Sequence, residues 1–88
     1  MRKVDYNIEF VDRNTTIYRE GDHILTFVVD GGGPGHVIVY FKKVVAWDPP
    51  HEAEKLSPKD KERIRANLRS AYDSERMKVE FDDEGAAS

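Results

Sequence analysis

The sequence contains no cysteine, which excludes disulfide bonds and thiolate chemistry. Small secreted domains without disulfides are unusual, so this absence favours a cytoplasmic location. The N-terminal stretch MRKVDYNIEF has two basic residues but no apolar segment behind them, and we expect no signal peptide. The chain also lacks a run of about 18 apolar residues, so we predict no membrane-spanning segment.

Long blocks of one charge sign are lacking, since charges of both signs alternate along most of the chain, although 35% of its residues are charged. The net charge of −3 gives no general attraction to nucleic acid, which disfavours such a partner. With 88 residues, of which 39% are hydrophobic, the chain is long enough for one domain with a small core.

Alternating apolar and polar residues predict strands in the first half of the chain. Residues 4–10 alternate with the period of a half-buried antiparallel strand. Further strands are predicted over residues 15–19, 23–29 and 37–47. The turn sequences DRN and EGD separate the first three strands, and a glycine-rich stretch precedes the fourth.

The sheet pattern ends at Pro49 and Pro50, since proline cannot donate to a strand ladder. Ser57 is a natural N-cap and Pro58 suits the first position of a helix. The apolar spacing that follows predicts a helix over residues 58–73.

Residues 77–81 alternate again and predict a last short strand. The predicted fold class is therefore α+β with the order β-β-β-β-α-β. It is an antiparallel β-meander of about four to five strands with one C-terminal α-helix packed on one face. We expect a single domain over residues 1–82, followed by a flexible acidic and small-residue tail over residues 83–88.

The stretch DGGGPGHVIVY raises the question of whether its glycines bind a phosphate. A P-loop continues into Lys-Ser/Thr and a helix, whereas His36 and a strand follow here. The spacing also fails the dinucleotide pattern G-x-G-x-x-G. Residues 31–35 are therefore predicted to form a hairpin connection, the alternative being a loop that becomes ordered on a partner.

The three histidines, His23, His36 and His51, lie in separate segments without the spacing of a metal site. His23 and His36 flank the ends of predicted strands and could meet in space. Because no catalytic pattern is present either, we predict no catalytic, cofactor-binding or metal-binding residues, no cofactor and no enzymatic activity.

Acidic residues cluster beside the single tryptophan, at Asp48, Glu52 and Glu54, and again over residues 82–84. Such clusters form either a solvated face or an acidic surface that binds a basic protein. Trp47 itself is either a plug that closes the core or, if exposed, an interface anchor.

The segment FKKVVAWDPPHEAEKLSPKDKERIRANL resembles a small predicted immunity-protein family from bacterial polymorphic toxin systems. The matching positions are Trp47, Asp48, Pro49, Pro50, Glu52, Glu54, Ser57 and residues 64–68. The stretch YREGDHILTF is similar to the second hairpin of that family.

This resemblance implies a protein that binds a cognate toxin domain and blocks it, with no catalysis of its own. Immunity proteins often use acidic surfaces because many toxins are basic nucleases, and the acidic clusters of this chain are compatible with such a partner without requiring it. We predict that Trp47, Asp48, Glu52 and Glu54 bind the partner. The alternative is a small self-associating structural or regulatory domain, for which a homodimer is the simplest form.

Overall fold

The computed structural model describes residues 5–31 and 33–83, which form a five-stranded sheet with one helix on one face. The elements along the chain are β1 (Tyr6–Asp12), β2 (Thr15–Glu20), β3 (His23–Gly31), β4 (His36–Val39), α1 (Pro58–Ser74) and β5 (Lys78–Phe81). This order confirms the predicted α+β class and its β-β-β-β-α-β sequence. Val4, which was predicted to begin the first strand, lies outside the described residues.

The strands lie in the order β1-β2-β3-β4-β5 across the sheet. The first four pair with their neighbours in antiparallel fashion, whereas β5 runs parallel to β4. A parallel pair requires a crossover of a dozen or more residues. Residues 40–77, which include α1, supply that crossover.

The core lies between the sheet and α1, because every second residue of β2, β3, β4 and β5 is buried toward the helix. The helix contributes Ile64, Leu68 and Tyr72 from one stripe, as its apolar spacing predicted. The sheet side of the core consists mainly of Tyr18, Leu25, Phe27, Val29, Val37, Val39, Phe41, Val79 and Phe81.

The helix begins at the predicted N-cap Ser57, which forms a capping box with Asp60. The backbone amide of Asp60 donates to the Ser57 hydroxyl at 3.1 Å, and the Ser57 amide donates to the Asp60 carboxylate at 3.0 Å. The hydrogen bond from the Ser57 backbone lowers the pKa of Asp60. Within the described residues, no helix has the length and apolar character needed to cross a lipid bilayer.

The glycine-rich stretch connects β3 to β4, which confirms the predicted hairpin connection. Gly33 and Gly35 have φ angles of 110° and 72°, a region that favours glycine. The His36 amide donates to the Gly33 carbonyl at 3.0 Å. Gly32 lies outside the described residues.

The prediction of one long strand over residues 37–47 is wrong, because regular pairing ends at Val39. The Asp82 carboxylate accepts the backbone amides of Phe41 and Lys42, at 2.6 and 2.7 Å. Those amides therefore cannot donate hydrogen bonds to a neighbouring strand, and the chain turns at this point.

Long side chains of α1 extend over aromatic rings of the core. Lys61 and Arg65 lie over Phe41, at 5.7 and 5.8 Å from its centroid, and Arg69 lies 5.1 Å from the centroid of Phe81. Their aliphatic stems cover apolar surface and their charges add cation–π contacts.

Asp83, which the sequence assigned to the tail, packs against α1. Its carboxylate lies 2.8 Å from Arg65, and only 13% of its side chain is exposed. The rest of the predicted tail, residues 84–88, lies outside the described residues.

A buried carboxylate at the end of β2 connects the sheet to the helix. Glu20 is 8% exposed and receives two hydrogen bonds from Arg63, at 2.9 and 3.0 Å. The Tyr18 hydroxyl also donates to Glu20 and accepts from Asn67. Burial, together with the Glu20 contact, raises the pKa of Tyr18.

Replacing Arg63 with methionine should destabilise the fold, because it leaves the buried Glu20 carboxylate without its cation. We expect a loss of roughly 2–3 kcal/mol, less than for a fully buried pair because part of Arg63 faces solvent. Urea unfolding measures this difference. Lys59→Met, which removes the same charge from an exposed helix position, is the control and should change stability by less than about 0.5 kcal/mol. Equal effects of the two substitutions would contradict a structural role for the ion pair.

Candidate functional site

The segment after β4 folds back across the beginning of β3 and forms a compact loop. The Asp48 amide donates to the Ile24 carbonyl at 2.8 Å, which attaches the segment to β3. Two successive turns follow, since the His51 amide donates to Asp48 and the Glu54 amide donates to His51, both at 2.9 Å. We refer to residues 48–54 as the acidic loop.

Trp47 anchors the acidic loop from inside the core. It is 7% exposed, which confirms the interpretation of this residue as a core plug. Its ring stacks on Tyr18 with centroids 6.5 Å apart and meets His23 edge-on at 5.1 Å. Trp47 therefore contacts both the buried network of β2 and the surface at the beginning of β3.

The surface above Trp47 carries two histidines and two carboxylates, Asp22, His23, His51 and Glu54, which we call the histidine–carboxylate cluster. The imidazole rings of His23 and His51 stack with centroids 3.8 Å apart and an interplanar angle of 19°. Glu54 lies 3.0 Å from Nε2 of His23 and 3.1 Å from Nδ1 of His51. Asp22 lies 3.0 Å from Nδ1 of His23 and 3.8 Å from Nε2 of His51.

The tight turn between β2 and β3 positions half of this cluster. Glu20 and His23 pair directly, so the turn consists of Gly21 and Asp22 alone. Gly21 has a φ of 60°, a conformation that glycine adopts without steric cost. The other half of the cluster comes from the acidic loop.

The carboxylates alter the protonation of the cluster. The hydrogen bond that the His23 ring donates to Glu54 raises the pKa of His23 above its usual 6.5, with a smaller contribution from the charge of Asp22. The same hydrogen bond lowers the pKa of Glu54. Each effect favours a charged imidazole beside a charged carboxylate.

The suggestion that His23 and His36 could meet is wrong. β3 and β4 are antiparallel, so their first residues lie at opposite ends of the pair. His36 lies instead 3.3 Å from Glu80 of β5. Residue spacing could not reveal the contact between His23 and His51, because the acidic loop forms it through long-range folding.

The family model Imm74, described as Immunity protein 74, matches residues 7–82. That region contains nearly all of the sheet, the helix, the acidic loop and the histidine–carboxylate cluster. The chain belongs to the Immunity protein 74 family. This finding confirms the resemblance to an immunity-protein family that the sequence indicated. Comparison with curated proteins gave no match, and comparison with solved structures gave none either.

In this Immunity protein 74 member, three of the four residues predicted to bind a partner lie on the acidic loop. Asp48 is half-buried and accepts a hydrogen bond from the Thr26 hydroxyl at 2.7 Å. Glu52 and Glu54 are exposed. Trp47, the fourth residue, lies beneath them in the core. Partner binding by these residues stays a prediction.

Asp82 and Asp83 of the second acidic cluster have structural contacts in this Immunity protein 74 member, whereas Glu84 lies outside the described residues. Asp82 accepts backbone amides at the end of β4, and Asp83 pairs with Arg65. Both carboxylates are partly buried, so neither belongs to a fully solvated surface. The acidic loop is therefore the better candidate for a functional acidic surface.

In this Immunity protein 74 member, the pKa of His23 should lie above 6.5, because its ring is hydrogen-bonded to Glu54 and lies beside the charge of Asp22. The charged form stabilises the fold below the unfolded pKa, and this contribution disappears as the pH rises through the folded pKa. Proton NMR of the histidine rings in the presence of a chelator measures the value. Glu54→Gln should lower it, whereas Glu52→Gln should not, since the Glu52 carboxylate is not part of the cluster. A His23 pKa at or below 6.5 would contradict this account.

Proposed function

We propose that the protein is an immunity protein that binds a cognate toxin domain and neutralises it without catalysis of its own. The observation that carries this proposal is the match of the Immunity protein 74 model over residues 7–82. The predicted cytoplasmic location belongs to the same proposal, because the toxin would then be met inside the cell that makes both proteins.

The acidic loop and the outer face of the sheet together form the docking surface in this proposal. The hydrogen bond between Asp48 and Thr26 joins the loop to that face, which α1 leaves uncovered. Val28 and Tyr40 lie on it and are 62% and 38% exposed. An apolar patch bordered by charged residues is a common arrangement in protein interfaces.

The charges of the acidic loop favour a basic partner. Asp48, Glu52 and Glu54 lie within seven residues, and the loop contains no lysine or arginine. Acidic residues concentrated on one surface attract a basic protein over a distance and accelerate its association. A toxin domain with a basic active-site face is the partner that this surface fits.

Trp47 acts in this proposal by supporting the surface from below. Its ring contacts Tyr18 in the core and His23 in the cluster, so the loop lies on a rigid base. A surface that is already ordered loses less conformational entropy when it binds.

A non-catalytic role agrees with the exposure of the cluster. The side chains of Asp22 and Glu54 are 84% and 56% exposed. General acid–base catalysis usually relies on carboxylates with a raised pKa in a cleft, whereas the pKa of Glu54 is lowered.

Co-expression with a toxin tests the function directly. We expect a toxin domain to be encoded beside this chain's gene; it should stop growth when expressed alone, and growth should return when the full chain is co-expressed. Purified toxin and this chain should also form a stable complex at equal stoichiometry. Continued growth arrest, with both proteins present and folded, would overturn the proposal.

Reversing two charges of the acidic loop, Asp48→Lys with Glu52→Lys, should slow association with the toxin about tenfold at low salt. The cause is loss of electrostatic attraction, so added salt should reduce the difference. Stopped-flow or surface plasmon resonance measures the rate. Glu62→Lys with Asp73→Lys makes the same change of charge on exposed positions of α1 and serves as the matched control. Equal rates for the two double variants would rule out the acidic loop as the docking site.

Self-association is a second candidate function, favoured by the exposed edge of the sheet. No described strand pairs with the outer edge of β1. Tyr6, Phe10 and Val11 on that strand are 41%, 44% and 46% exposed. Two copies of β1 could pair across a two-fold axis and extend the sheet.

Light scattering over a range of concentrations distinguishes the two candidates. The immunity proposal predicts a constant monomer mass before toxin is added. Self-association through β1 would be favoured if the mass of the unmodified chain rises with concentration while the Phe10→Asp variant keeps the monomer mass.

A further inference from the structure

The histidine–carboxylate cluster contains one ring nitrogen for each carboxylate oxygen. His23 and His51 present two nitrogens toward Asp22 and two toward Glu54. Neutral imidazoles have only one N–H group each. Four hydrogen bonds would thus require two extra protons, and neutral rings leave two lone pairs facing a carboxylate.

The distances favour the Glu54 end for His51, whose Nδ1 is 3.1 Å from Glu54 and whose Nε2 is 3.8 Å from Asp22. His23 has a carboxylate oxygen 3.0 Å from each ring nitrogen, so its N–H can be donated to either carboxylate. When both neutral rings donate to Glu54, their remaining lone pairs point toward Asp22. The Asp22 end then offers two imidazole nitrogens and a carboxylate oxygen.

We propose that Asp22, His23 and His51 form a binding site for a divalent transition-metal ion such as Zn²⁺, with Glu54 orienting both imidazoles. The three ligand atoms lie within 4.8 Å of one another. Ligands at about 2.1 Å from a tetrahedral ion are roughly 3.4 Å apart, so a small closure of the site is sufficient.

Asp22 can provide that closure because it lies on a tight turn and its side chain is 84% exposed. The stacked rings must also tilt, so that each nitrogen directs its lone pair at the ion. Water completes the coordination, since the exposed side of the site is open. Imidazole donors select first-row transition metals over Mg²⁺ and Ca²⁺, which prefer oxygen ligands.

Glu54 has the role of an outer carboxylate in this arrangement. Metal-binding histidines usually donate their other N–H to a carboxylate, which fixes the tautomer and the ring orientation. Here one carboxylate serves both rings, through separate oxygens. Trp47 restrains His23 from below by its edge-on contact.

The ion would join the turn between β2 and β3 to the acidic loop. Asp22 and His23 come from the first segment, and His51 comes from the second. Metal binding would thereby hold the loop in place. The site does not depend on the proposed function, because binding is measured on the isolated protein.

Isothermal titration of the full chain with zinc chloride, at a mildly alkaline pH where imidazole ligands are neutral, is the test. We expect saturable binding of one ion per chain. His51→Ala and Asp22→Asn should each weaken it at least about tenfold, and Glu54→Gln about tenfold. His36→Ala is the matched control and should leave affinity unchanged, since His36 lies beside Glu80 on another part of the sheet.

Cobalt(II) provides a second measurement that does not depend on the stability of any variant. Bound Co²⁺ should give visible absorption of a low-coordinate nitrogen and oxygen site, which zinc displaces. Ring NMR should show shifts at Nδ1 of His23 and Nε2 of His51, with the opposite nitrogens still protonated. No saturable binding by the unmodified chain, or equal loss in His36→Ala and His51→Ala, would overturn the proposal.

Discussion

The buried ion pair between Glu20 and Arg63 is the contact on which the rest of the structure depends. A carboxylate this deep is costly unless a cation and further hydrogen bonds compensate it. Arg63 supplies two hydrogen bonds, and Tyr18 supplies another. Because Glu20 ends β2, the same contacts orient α1 on the sheet and hold the turn that carries Asp22.

From this pair, a continuous set of contacts leads to the surface. Tyr18 stacks on Trp47, and Trp47 meets His23 at the beginning of β3. His23 in turn stacks on His51 of the acidic loop. The loop is therefore an extension of the core, although it contains no regular strand or helix. This explains how a proline-rich segment can present its carboxylates in a defined arrangement.

Local sequence patterns predicted most of the fold, because its strands and helix follow short-range rules. The capping residue Ser57 and the apolar stripe of α1 are readable from neighbouring positions. The end of β4 was missed because its cause is distant: Asp82, some forty residues later, takes the amides of Phe41 and Lys42. The acidic residues of the candidate site were visible in sequence, whereas the stacking of His23 on His51 was not, since it depends on how the loop returns to β3.

The parallel pairing of β4 with β5 has a consequence for when the acidic loop takes shape. The paired residues His36 and Lys78 are about forty residues apart along the chain, and the loop lies between them. Closing so long a segment is entropically costly, so we expect contacts of this kind to form late in folding. The loop thus acquires its conformation with the completion of the tertiary structure. An incompletely folded chain would not display this surface, so the presence of the surface reports on the integrity of the entire molecule.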